Sequence, residues 1–561
     1  MLVLVFTAAG LLLAGCTSPT TSPGNATATP VPLPVTTKDT IVSLEYGTPV
    51  SLDFMTDDAY DTASQEIDQA LYETLFFYNG SDITTPVPIL ATGYDLSSDG
   101  LVYTFYLRPN VTFHDGTAFN ASTVKYSWDR FFLLDNLPAA GNFIGTVKGY
   151  ANYSATHANT TQADVDAYLA AGGVKVINDT TVQVTLESPN SNFIKMLTFD
   201  AMSIMSPTFD QAHGGFNATA HTANAYMIDH ACGTGPFTID AWVTGQPIVL
   251  NRNDKYWREP AKSKKVIIQQ ADDWNTRFLA LQKGEADFIT VDAVHAPEVL
   301  NTTGNFALAK YPGLLVTPIE FNYAIWPYNI KEVRQAITEL FDKDQFVNSL
   351  QGYAVRRDFA IPQGMTGGDL SVTPQKYDPE DAVRLLNAAG FTPANKTNLV
   401  IDYNTGNENR MRACIMLADS VNAVENRTGV HMTAQNVDWK KEIPLMNAGK
   451  IPIIMVGWQA DYPGADNFIA AYYWSGGQYM VLFNNPGNKT VDDLYRQSLR
   501  ETDPAKQVAL YKQIIDICNA DYPYCYVYQN AVTMGYSKDL KGVAFNPLNG
   551  GVGVNYYTIY K

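Results

Sequence analysis

Positive charge is scarce in this chain. Lys and Arg total 38 against 56 Asp and Glu, and the formal net charge is −18. A phosphate backbone needs a basic face, so nucleic acid is excluded as a partner. Histidine is scarcer still: the seven His are scattered along 561 residues, which leaves a His-built metal site without support. Cysteine is limited to five, with no Cys-x-x-Cys pair, so no structural zinc site and no other metal is expected. No Gly-x-Ser-x-Gly, His-Glu-x-x-His or phosphate-binding loop occurs. No short period recurs, which argues against solenoids and propellers. Charged residues make up only 17%, while hydrophobic ones reach 46%. Such a chain can bury large cores, and at roughly 100–200 residues per domain it predicts two to four domains.

Three fragments imitate active-site motifs and read better as structure. In His114-Asp115-Gly116 the Asp-Gly step after a strand is a turn. Ser122-Thr123-Val124-Lys125 fits Ser-x-x-Lys, but no Lys-Thr-Gly or Ser-Asp-Asn partner exists, so it reads as a helix N-terminus. The stretch Asp95 to Gly100 resembles half a calcium loop, with Tyr106 where the closing Glu belongs.

What is present begins at the N-terminus. "MLVLVFTAAGLLLAGC" is apolar, too short to span a bilayer comfortably, and ends in small residues. It reads as a signal peptide, and its Leu-Ala-Gly-Cys ending resembles a lipobox, which makes Cys16 the lipidated residue. One departure is that no Lys or Arg precedes the apolar run. An uncleaved anchor helix is the competing reading, and both put the folded part outside the cytoplasm on a membrane. Residues 17–37, rich in Ser, Thr and Pro and uncharged, form a tether that reaches about 70 Å when extended. Asn-x-Ser/Thr sequons run from Asn25 to Asn488. Together with a lipid anchor they point to an archaeal cell surface. Cys232, Cys414, Cys518 and Cys525 form an even set, and in an exported chain they suggest Cys518–Cys525 and Cys232–Cys414 disulfides, with buried free thiols as the alternative.

Strands and helices then alternate, which predicts α/β lobes. "LVYTFYLRPNVTFHDG" reads as two strands about a turn at Arg108-Pro109-Asn110. "ASTVKYSWDRFF", "DWNTRFLALQKG", "DPEDAVRLLNAAG" and "DPAKQVALYKQIIDICN" read as helices with their own start and stop residues.

Six segments, in order, resemble the family 5 extracellular solute-binding proteins of ABC transporters, the dipeptide, oligopeptide and nickel binders. They are "LYETLFFYNG", "ILATGYDLSSDGLVYTFYLRPNVTFHDGTAFNASTVKYSWDR", "GTGPFTIDAWVTGQPIVLNRNDKYW", "ALQKGEADF", "EVRQAITELFDKDQFVNSLQG" and "YDPEDAVRLLNAAGF". The resemblance implies a large, two-lobed periplasmic-binding-protein-like α/β fold with two hinge strands. Lobe I would span 38–312, with a core at 38–78 and 195–312 and an added subdomain at 79–194. Lobe II would span 313–529, and 530–561 would return to lobe I. It also implies a monomer rather than an oligomer, a binding protein rather than an enzyme, no cofactor, a short peptide as ligand and ABC permease subunits as partners.

The family's Trp-x-x-Asp segment maps to "GWQADYPGADNF". By resemblance, Asp461 holds the ligand's α-ammonium, Trp458 shields it, and Gly457 and Gln459 pair with the peptide main chain. Asp466 is the expected cap of the next helix. "TGNENRMRACIML" aligns with the segment that supplies an Arg for the ligand carboxylate, giving Arg410 first and Arg412 second. "DYPGAD" departs from the family's Asp-Pro-Asp. A nickel chelate or an oligosaccharide is the alternative cargo. An extracellular hydrolase and a surface receptor or adhesin are the alternatives from other classes.

Overall fold

The computed structural model describes residues 36–561 apart from 48, 57, 58, 60, 136–139, 244 and 551. The segment expected to be a signal peptide, the expected lipidation residue Cys16 and the expected tether up to residue 35 lie outside the described residues. Among the described residues no helix is long and apolar enough to cross a membrane.

Two long strands organise the molecule. Phe306–Phe321 and Tyr524–Ser537 pair antiparallel along most of their length, from Phe306 opposite Ser537 to Glu320 opposite Tyr524. The register shifts between Pro312 and Val316 and again between Thr317 and Pro318. Each shift adds local twist and bends the ribbon. One end of the ribbon carries Phe288–Thr290, then Thr40–Glu45, Lys265–Gln270, Ile248–Arg252 and Phe237–Thr238. The other end carries Ile453–Met455, then Thr397–Asn404 and Val430–Val437. The pair is thus the continuous bridge between two sheet halves of a two-lobed α/β fold. Parallel pairing within each half, Thr40–Glu45 on Lys265–Gln270 and Thr397–Asn404 on Val430–Val437, needs helical crossovers and fits strands covered on both faces.

A separate antiparallel sheet orders Ala91–Leu96, Val102–Leu107, Thr181–Thr185 and Val174–Asn178. Helix Ala121–Leu134 packs on it, started by a reciprocal Asn120–Thr123 cap. The second strand expected after Val102–Leu107 does not form, and Thr112 makes a single bridge to Ala118. The Asp115 carboxylate accepts from Thr117 N and Oγ1 and closes a turn there instead. The other three helices start on the expected acids: Asp273 before Trp274–Lys283, Asp378 before Pro379–Ala388 and Asp503 before Pro504–Asn519.

The Gly233-Thr234-Gly235 segment crosses the end of helix Thr62–Leu71. A Cβ on Gly235 would stand 2.6 Å from the Ala70 carbonyl oxygen, and one on Gly233 would collide with the Leu71 oxygen. Glycine is required at both places by this close backbone approach. Nearby, Arg130 is fully buried. It donates to both carboxylate oxygens of Asp53 at 2.8 and 2.6 Å, and its Nε lies 3.3 Å from Asp210.

The expected disulfides are not formed, and Cys232, Cys414, Cys518 and Cys525 are free thiols. Side chains alternate across a strand. Tyr524 and Tyr526 therefore face Tyr472 and Tyr473, on the side where Cys518 lies. Cys525 points the other way, toward Lys343 and Thr338. Cys232 packs against Asp115 and Ser206, while Cys414 sits beside Arg410 and Asp402 in the other half of the sheet.

Candidate ligand-binding site

The apolar run ending at Val456 forms strand Ile453–Met455 beside Phe306–Phe321. The chain then stays against that long strand. Trp458 pairs with Val316, Gln459 with Leu315, and Ala460 N donates to Leu314 O at 3.1 Å. Gly457 permits the approach, because a Cβ there would lie 2.7 Å from Thr317 Oγ1. Alternation along an antiparallel pair turns the Ala460 N–H toward the long strand and the main-chain groups of Gln459 away from it. The Gly457 carbonyl already accepts from Tyr479 OH at 2.9 Å.

One amide fixes the cluster. Asn467 is fully buried; its Oδ1 accepts from Trp458 Nε1 at 2.8 Å and from Asp461 N at 3.1 Å. Its Nδ2 donates to Asp461 Oδ2 at 2.7 Å. The half-buried Asp461 carboxylate is thereby oriented, and the Trp458 ring lies edge-on to Tyr479 at 5.6 Å. Asp466 is not the helix cap. Helix Ala465–Tyr473 starts after Gly464, and Asp466 is a buried acceptor for Tyr462 OH and Asn192 Nδ2, each at 2.8 Å. Burial raises its pKa, and the Tyr462 bond opposes the rise.

Opposite Asp461 stands Asp200, nine-tenths buried. Its pKa is pushed up to about 8, first by burial and then by the negative charge of Asp461. Asp61 adds to this field and is itself raised to about 6 by burial.

The two Arg candidates part company. Arg410 is buried; its Nη1 donates to Asn404 Oδ1 at 2.8 Å, while its Nε finds no acceptor among the described residues. Its charge acts on Tyr46, Tyr528, Tyr479 and Asp292. Arg412 is more than half exposed and lies 3.9 Å from Glu408 on an outer groove with Ile415 and Tyr377. Burial pushes Asp292 up to about 7 and Glu442 up to about 8, and Arg410 opposes both shifts.

The two sheet halves meet around this region. Gly406 faces Tyr46 so closely that a Cβ would stand 3.0 Å from it, and His295 Nε2 lies 3.1 Å from Glu408. Gln459 Nε2 donates to Pro547 O, and Lys440 lies over the Trp242 ring. Asn467, Asp200, Tyr46, Tyr479 and Tyr528 were not singled out from sequence. Asn467 alone left a trace there, as an amide beside Asp466 in the first turn of a helix that is apolar from Phe468 on. A cavity of about 640 Å³ lined by Tyr72, Tyr78, Arg108, Trp257 and Tyr556 lies beside this cluster and shares only Asp200 with it.

His114 and Cys232 are neighbours of Asp115, yet their electrostatics oppose nucleophilic chemistry. Burial pushes His114 down to about 4 and Cys232 up to about 12, so both are neutral. The His114 ring instead binds Gly235 O at 3.0 Å and Gly233 N at 3.3 Å, holding the glycine segment in place.

Comparison with known proteins gives a consistent result. Residues 85–480 match the model described as bacterial extracellular solute-binding proteins, family 5 middle. The glutathione-binding protein GsiB of Pectobacterium atrosepticum is 28% identical over 504 residues, covering 87% of this chain and 89% of that protein. The structure of the periplasmic binding protein DppA from Helicobacter pylori with the peptide STSA matches with a TM-score of 0.77 at 24% identity, covering 93% of this chain and 98% of that one. NikZ from Campylobacter jejuni with Ni(L-His) matches with a TM-score of 0.74 at 21% identity, covering 94% and 100%.

Proposed function

The chain belongs to the family 5 extracellular solute-binding proteins, which serve ABC importers, and from that premise we propose that it captures short peptides outside the cell for such an importer. The observation that carries this reading is a pair of opposite charges that both act on the buried Tyr479. Asp461 is held in orientation by Asn467, Arg410 Nε finds no acceptor among the described residues, and the Tyr479 ring feels the charge of both. An extended peptide offers the complementary pattern: ammonium at one end, carboxylate at the other, and main chain between. Asp461 would accept charge-assisted bonds from the ammonium, each worth about 1.5–3 kcal/mol. The outward main chain of Gln459 would pair with the peptide backbone, which reads no side chain and so tolerates many sequences. Arg410 would take the carboxylate, and Trp458 would exclude water from the amine.

Asp61 adds negative field where the amine would sit, and Asp200 would add more once the ammonium displaces its proton, which favours a cationic amine over a neutral sugar. Ligand would shift an open–closed equilibrium of the lobes by its differential affinity for the closed form, and the closed form would dock on the permease. The chain would be held at the extracellular face of the membrane, on an archaeal cell surface, through a lipidated Cys16 and the tether that follows. No covalent step belongs to this reading.

The test is native mass spectrometry of co-purified cargo, followed by calorimetry with free and N-acetylated di- and tripeptides. Recovered peptides, and a loss of at least tenfold in affinity on acetylation, are expected. A recovered nickel chelate or sugar, or equal affinity for acetylated peptides, would overturn it.

A further inference from the structure

Folding gathers two of the scattered histidines around one buried carboxylate, well apart in the chain from Asp461 and Arg410. Asp135 follows helix Ala121–Leu134, and its side chain is wholly buried. His157 opens a short helical turn, and His221 lies in the loop after Asn217. One ligand atom from each of the three lies within 4.8 Å of the other two. We propose that Asp135, His157 and His221 form a binding site for a divalent transition-metal ion of the zinc class.

The chemistry of the donor set fits such an ion. Two imidazoles and a carboxylate suit zinc, and a water would complete four-coordination. The supporting contacts are of the kind that orient metal ligands. Tyr150 OH donates to Asp135 Oδ1 at 2.6 Å, leaving Oδ2 turned toward His157 Nδ1 at 2.7 Å. His221 Nδ1 lies 3.2 Å from the Leu133 carbonyl oxygen, which places the proton on Nδ1 and the lone pair on Nε2. Thr160 Oγ1 donates to that Nε2 at 2.9 Å and is the contact the ion would displace. Asp135 and His221 both hold left-handed backbone, at φ 48° and 50°. That conformation is uncommon for residues other than glycine and is found at constrained sites.

The rings of His157 and His221 are stacked, with centroids 4.5 Å apart and 18° between planes. An ion must lie in the plane of each ring it binds, so loading requires one ring to tilt out of the stack. His157 is the ring able to do so, since its side chain is 40% exposed. Tetrahedral ligands at about 2.0–2.1 Å stand roughly 3.3 Å from one another. The contact between Asp135 and His157 therefore opens slightly, and the farther atoms close in. The ion would take the place of the proton between His157 Nδ1 and Asp135 Oδ2, and that proton would move to His157 Nε2. The result is a staple joining the end of helix Ala121–Leu134 to the 157–159 turn and the 217–222 loop.

The experiment titrates the EDTA-treated full chain with ZnCl2 by calorimetry at pH 7.5, with Co2+ absorption as an independent signature. One ion per chain, a raised Tm and a Co2+ d–d band are expected. His157→Gln and His221→Asn should each weaken binding at least tenfold while circular dichroism stays unchanged. Asn is chosen at 221 because it tolerates left-handed backbone. His230→Gln, at a histidine outside the cluster, should leave the isotherm unchanged. Absence of saturable one-to-one binding, or binding that survives both His157→Gln and His221→Asn, would overturn the proposal.

Discussion

Asn467 Nδ2 donates to Asp461 Oδ2 at 2.7 Å, while Asn467 Oδ1 accepts from Trp458 Nε1 at 2.8 Å. A single buried amide therefore sets both the expected ligand anchor and the ring beside it. Asn467→Ala removes the amide that accepts from Trp458 Nε1 and Asp461 N, which costs about 1–3 kcal/mol of stability. It should also weaken binding of free-amine peptides about tenfold. In a double-mutant cycle with Asp461→Asn, measured by calorimetry, the second loss should largely vanish, because Asn467 acts through Asp461.

Arg410 and Arg412 differ in direction, and this separates their expected effects. Arg410→Met should weaken binding of peptides with a free C-terminal carboxylate tenfold or more and narrow the preference over amidated peptides. Arg412→Met, on the outer surface, should change affinity by less than about twofold, as exposed charges usually do. Calorimetry with matched free and amidated peptides checks both.

Asp200 gives a pH dependence with a defined sign. Its pKa is about 8 in the folded chain, against 3.8 for the ordinary side chain. Between those values the folded state holds a proton that the unfolded state has released, so stability falls as pH rises. The contribution is complete below about pH 4 and is lost as pH passes through about 8. Urea midpoints of the ligand-free protein at pH 5 and pH 8 should therefore differ less in Asp200→Asn than in the wild type. Binding of an ammonium beside Asp461 would lower the Asp200 pKa, so affinity should rise from pH 6 to pH 8 with proton release. An identical pH profile in the variant would remove this assignment.

The Asp53–Arg130–Asp210 cluster predicts a change in stability without a change in cargo. Arg130→Met leaves two buried carboxylates without their cation, and breaking such a pair costs about 3–5 kcal/mol. Thermal unfolding should shift strongly downward, while the order of peptide preference at low temperature should stay as in the wild type.

The sequence by itself determined the local elements and the family. Asp273, Asp378 and Asp503 marked helix starts because capping is a contact within three residues. Ordered motifs over most of the chain carried the two-lobed α/β fold. The Gly-Thr-Gly segment could be assigned to close packing because only glycine lets two backbones touch there.

Tertiary structure decided everything that depends on which way a side chain turns or what lies across a gap. Strand alternation sent Cys525 away from Cys518, where proximity along the chain had suggested a bridge. A little over half a turn of helix separated a buried Arg410 from an exposed Arg412. Gly464, rather than Asp466, precedes the helix, because Asp466 is used by Tyr462 and Asn192 from another part of the chain. Asp200 came to face Asp461, and Asp135 came to meet His157 and His221, through long-range folding that no spacing in the sequence records. Local preference is written residue by residue, but the field at a carboxylate depends on every charge and cavity wall that the fold brings near it.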